Sequence, residues 1–141
     1  ADAVAQPIRV QVPGPADLLQ LVGTELDCAF TTTLSESNLE QFARATGESS
    51  QEFIPSNFLL SLVNLFLPEM LVVESFSMGV NVGLDSVSFP TPAKLSDPLT
   101  ARGLVLSADQ IGEGVQVVVR VTMQSGGADV CVADTVSRFF A

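Results

Sequence analysis

No histidine occurs anywhere in the 141 residues, and this narrows the available chemistry before any element is assigned. Asp–His pairs, Ser–His–Asp triads and Cys–His pairs all need an imidazole as the base. A histidine ligand for zinc or iron is excluded with them. Cys28 and Cys131 lack metal-ligand spacing and are expected to be thiols of a reduced, cytoplasmic protein. No metal and no cofactor are expected. What remains for chemistry is carboxylates, hydroxyls and amides. Asn57, Ser61 and Asn64 fall at i, i+4 and i+7, which makes one narrow polar stripe if the segment is helical. Such a stripe either packs against a sheet with its amides satisfied by backbone, or lines a cavity. The Ser61 hydroxyl has no base beside it and is a poor nucleophile.

The elements that carry these residues can be read from pattern. Pro55 suits a helix start, and Phe58, Leu59, Leu60, Leu62, Val63, Leu65, Phe66 and Leu67 cover almost every face of the helix that follows. Such a helix is expected to be buried on most sides. Before it, Ser35 is a candidate cap for a helix carrying Leu39, Phe42 and Ala43 and ending near Gly47. Glu25 to Thr33 reads as a strand with Leu26, Cys28, Phe30 and Thr32 on one face, and Asp17 to Val22 as a short helix. Ile8, Val10 and Val12 alternate with polar residues, so a short strand is expected within an N-terminal arm over residues 1–14. Val72 to Phe89 is β-prone, with Gly79 and Gly83 as expected bulges. Thr100 to Ala108, Val115 to Gln124 and Val130 to Phe139 form an antiparallel meander, turned at Gly112-Glu113-Gly114 and Ser125-Gly126-Gly127. An apolar helix followed by a meander implies an α+β domain over residues 15–141, a sheet wrapped around a long central helix.

The 16 acidic and 6 basic residues give a net charge of −10. Nucleic acid is therefore a poor partner, since phosphate contacts need clustered Lys and Arg. The same argument weighs, less strongly, against coenzyme A and acidic carrier proteins. The longest apolar stretch, Phe58 to Leu67, is interrupted by Ser61 and Asn64 and is too short to span a membrane. A 47% hydrophobic content points to an apolar interface between chains or a large apolar cavity.

The block Asn81-Val82-Gly83-Leu84-Asp85-Ser86-Val87-Ser88-Phe89-Pro90-Thr91-Pro92 resembles the strand signature of MaoC-like hydratases, a hot-dog family. Phe42-Ala43-Arg44-Ala45-Thr46-Gly47, Phe58-Leu59-Leu60-Ser61-Leu62, Cys131-Val132-Ala133 and Ser137-Arg138 resemble further family segments in the right order, from about Asp17 onward. The resemblance implies a single hot-dog domain, usually dimeric, with an acyl tail in a tunnel. It also implies water addition to a trans-2-enoyl thioester by an Asp–His pair in D-x-N-P-I-H, directly after the Thr-Gly. That motif is missing here. Glu48 stands at the aspartate, Phe53 at the histidine, and Ser56-Asn57 replace the His-Gly before the central helix. The stretch between them is shortened.

A shortened loop would open one end of the tunnel and suit a bulkier ligand. The polar groups expected near it are Glu48, Glu52, Ser56, Asn57, Ser61, Asn64 and Asn81, with Phe53 among the ligand contacts. A carboxylate beside apolar walls has a raised pKa and can act as acid or base, a role open to Glu48 or Glu52 unless both are solvated loop acids. Asn57 can donate to a carbonyl oxygen or simply cap the helix. Asp85 is expected to be structural. Three functions follow. A repurposed enzyme would hold a hydrophobic acyl or polyketide-like molecule, in a closed pocket lined by Asn57, Ser61 and Asn64, and promote cyclisation, elimination or isomerisation. A non-catalytic subunit would pair with an active hot-dog chain. A thioesterase would use Glu48 or Glu52 as a lone base. A homodimer is expected, or, in the second case, a heterodimer with a related histidine-bearing chain.

Overall fold

A computed structural model describes residues 9–28, 31–50 and 52–141. Ile8 and the rest of residues 1–8 lie outside it, as does Phe30 in the expected second strand. Three residues, Val10–Val12, form β1 and pair in parallel with β3, Leu71–Val73. Between them come a 3-10 helix at Pro15–Gln20, β2 at Glu25–Asp27 and α1 at Glu36–Thr46. Two helical segments follow, α2 at Ser56–Ser61 and α3 at Val63–Met70. After β3 the chain is almost wholly sheet: β4 Met78–Ser88, β5 Leu99–Ile111, β6 Gly114–Ser125 and β7 Ala128–Phe140.

The sheet is antiparallel in the order β2-β5-β6-β7-β4. The meander is local, closed by Gly112 and by Gly126-Gly127, whose φ values of 58°, 58° and 80° are the left-handed conformations that tight hairpins require. Register shifts in β5 and β7, and two in β4, bend the strands. One of the shifts in β4 falls between Asn81 and Gly83, as expected for Gly83. Gly79 does not bulge. It sits in regular register with Phe139, and an added Cβ would come within 3.2 Å of that ring.

Alternate residues of β6, Val115, Val117, Val119, Val121 and Met123, are buried on one face of the sheet. The helices lie against that face through Leu59, Phe66 and Met70, and Leu18 joins them from the 3-10 helix. Ser35 caps α1 by accepting from the Asn38 N–H, and Gly47 ends it in the left-handed conformation. Stacked rings of Phe42 and Phe58, 4.6 Å apart, tie α1 to α2.

Two expectations for the central helix need correction. It is divided at Leu62, although Leu62 donates to the Phe58 and Leu59 carbonyls and accepts from Phe66, so the rod continues through the break. Nor is it buried on most sides. Leu65 is 45% exposed, and Leu60 and Leu67 are only half-buried. The sheet covers one side of the rod, and nothing among the described residues covers the other.

Candidate functional site

All the expected site residues but Glu52 fall into two clusters. The first is a cleft of about 380 Å³ at the shortened loop, lined by Glu48, Phe53, Ser56, Phe89, Pro92 and Val130 among others. The loop is clipped to the chain after β4, with Ile54 donating to the Ala93 carbonyl and Leu95 to the Glu52 carbonyl. Asn57 donates to the Glu48 carboxylate across 3.2 Å. That pairing turns Asn57 towards the loop rather than into line with Ser61 and Asn64. Glu52 is exposed and lines neither cluster.

The second cluster is a groove between the helical rod and β4. Two adjoining clefts make it, of about 330 and 360 Å³, a size suited to a small ligand. One has walls of Leu67, Pro68, Val72, Phe76 and Phe139, the two rings meeting edge to face at 5.4 Å. The other has walls of Leu60, Val63, Val82 and Leu84, with Ser61 at its side. Asn64, Leu67 and Asn81 belong to both. At that junction Asn81 donates to the Asn64 amide oxygen across 3.4 Å, and the buried Ser137 donates to the Asn81 amide oxygen across 3.3 Å. The expected closed pocket lined by Asn57, Ser61 and Asn64 is therefore an open groove. Asn57 is missing from it, and Asn81 and Ser137 are added.

Ser137 was not identified from sequence as a groove residue. Its signal is register: it stands directly opposite Asn81 in the β4–β7 pairing, and that pairing is not visible until β4 is placed beyond β7. The same holds for Phe139.

Few groups here can do covalent chemistry. The Ser61 hydroxyl is committed to the Phe58 carbonyl at 2.6 Å. Cys131 is buried in the core, and burial pushes its thiol up to about 11, so it is no thiolate nucleophile at neutral pH. Arg120 makes a two-pronged pair with Asp134, at 2.8 and 3.1 Å, which raises its pKa first through the hydrogen bond and then through charge. This pair reaches neither cluster. Among the described residues, no group of three or more His, Cys, Asp or Glu gathers to hold a metal, and no helix is long and apolar enough to cross a membrane.

No family model matches the chain. Among curated proteins it is similar to 3-hydroxyacyl-thioester dehydratase Z of Mycobacterium tuberculosis, with 26% identity covering 89% of this chain and 95% of that one. Among solved structures it is similar to a MaoC-like dehydratase from Rhodospirillum rubrum, with TM-score 0.69 and 14% identity, covering 84% of this chain and 92% of that one. It is also similar to the HadBC (3R-hydroxyacyl-ACP dehydratase) complex of Mycobacterium tuberculosis, with TM-score 0.65 and 19% identity, covering 84% and 96%. The match to the dehydratase over most of both chains, the shared architecture and the Asn81–Pro92 block agree: the chain has the hot-dog fold and is similar to MaoC-like dehydratases.

Proposed function

We propose that this protein holds a hydrophobic acyl or polyketide-like molecule in the groove between its helical rod and β4, and that it does not hydrate enoyl thioesters. The observation that carries this reading is the groove itself, apolar along both arms with one amide pair at their junction. The lack of any histidine removes the imidazole base that the family resemblance implies. Confinement of a flexible chain in a reactive conformer can by itself accelerate a cyclisation, elimination or isomerisation. Glu48, held by Asn57, lines the separate loop cleft, so the groove acts through shape and its amide groups. The net charge of −10 favours a neutral ligand over a free acid or a nucleotide-bearing one.

The test is direct. Medium-chain acyl N-acetylcysteamine thioesters should bind in a calorimetric titration, and the trans-2-enoyl analogue should show no loss of enoyl absorbance above the uncatalysed rate. Histidine-free hydration of the enoyl thioester would overturn the reading.

A second reading rests on β4. It is an edge strand of eleven residues, with Met78, Val80, Val82 and Leu84 exposed. It carries no Lys or Pro and a single charge at Asp85. Long apolar edges without such guards pair with other chains. We propose that a second chain adds here and helps to close the groove, either another copy or a histidine-bearing hot-dog partner. Light scattering of the purified chain decides between them: a stable homodimer supports the first, and a soluble dimer formed only on mixing with such a partner supports the second.

A further inference from the structure

The two arms of the groove are apolar, yet they meet at an amide pair. Each Asn side chain carries two N–H donors. Among the described residues, one of the four reaches a protein acceptor, the Asn81-to-Asn64 contact at 3.4 Å. The Ser137 hydroxyl, itself buried, donates to the Asn81 oxygen, and the nitrogen end of that amide faces Asn64. Among the described residues three N–H groups are left at the junction without a protein partner, against one remaining lone pair on each of the two amide oxygens. The site has a surplus of donors.

Water satisfies these donors while the groove is empty, since Asn64 and Asn81 are both exposed. An apolar occupant would exclude that water. A saturated chain laid across the junction would strand the donors, and one stranded donor costs on the order of tenfold in affinity. A ligand with an acceptor at that point restores the bonds. Sites built this way discriminate against the analogue that lacks the polar group more strongly than apolar pockets discriminate by size.

We propose that the amide pair Asn64–Asn81 is a carbonyl-recognition station, and that the ligand is an acyl chain bearing a keto group partway along, with apolar segments on either side. The placement follows from the two arms: Val72, Phe76 and Phe139 flank the junction on one side, and Leu60, Val82 and Leu84 on the other. A ketone fits better than a hydroxyl because it only accepts. Ser137 is a positioning residue, acting through Asn81. This inference rests on the groove being the ligand site.

The experiment compares dodecanoyl N-acetylcysteamine thioester with its mid-chain oxo isomers by calorimetric titration against the full chain. At least one oxo isomer should bind roughly tenfold tighter than the saturated parent. Asn64→Leu and Asn81→Leu should bring that ratio close to one while the parent binds as well or better. Ser137→Ala should reduce the ratio without abolishing binding. Asn64 is exposed on the helix surface, so its variant reports even where the strand variant fails to fold. Equal affinities for all isomers in the wild type would overturn the carbonyl station and leave the groove intact as a site. A preference that survives Asn64→Leu and Asn81→Leu would also overturn it. Failure of every thioester to bind would overturn the groove and the station together.

Discussion

β6 and β4 are nearly equal in length, twelve and eleven residues, and both are rich in apolar residues. Their surroundings are opposite. β6 is flanked on both edges, by β5 and β7, and Val115, Val117, Val119, Val121 and Met123 are all at most 2% exposed. Among the described residues β4 is paired on one edge alone, and Met78, Val82 and Leu84 are 51%, 44% and 46% exposed. The helical rod shows the same division, with Phe66 fully buried and Leu65 turned outward. One half of the molecule is a finished core. The other presents apolar side chains, an open groove and a bare strand edge, where a ligand and a second chain would complete it.

The comparison breaks if the two halves respond alike to substitution. The largest effect is expected at Phe66→Ala, which empties the finished half and should cost about 3–5 kcal/mol in a denaturant titration. Alkaline pH should act on the same half through Cys131. Its thiol ionises near 9 when unfolded and about 11 when folded. Between those values the folded state retains a proton that the unfolded state has lost, so stability falls as pH rises from 9 to 11. The loss should approach about 2 kcal/mol, and Cys131→Ala should flatten that slope. At the open edge, Val82→Asp should change the stability of the monomer by less than about 0.5 kcal/mol. It should nevertheless abolish pairing in light scattering, because a charge at a bare edge opposes strand addition. A Val82→Asp chain that unfolds would show that β4 belongs to the core after all.

Much of the finished half was legible in the sequence. The cap at Ser35, the stop at Gly47 and the Gly-Gly turn of the last hairpin are local signals, each set by a few neighbouring residues. The unfinished half was harder to read. An all-round apolar helix normally means burial, yet here the side bearing Leu65 and Asn64 has no cover among the described residues, and sequence does not record whether a neighbour lies in the same molecule. The sequence left the polar stripe open between sheet packing and a cavity wall, and in the fold Ser61 and Asn64 stand at the groove. Asn57 left it because Glu48, nine residues back, offers an acceptor. Ser137 and Phe139 entered because strand order, which is non-local, brings β4 alongside β7.

The most direct test of the account is a backbone-amide NMR titration of the full chain with a neutral medium-chain acyl N-acetylcysteamine thioester. The predicted result is a set of saturable shifts at Ser61, Asn64, Leu67, Asn81, Val82 and Ser137, with the buried centre of β6 little changed. Shifts confined to Glu48, Phe53 and Ser56 would place the ligand in the loop cleft instead and contradict the groove as the site.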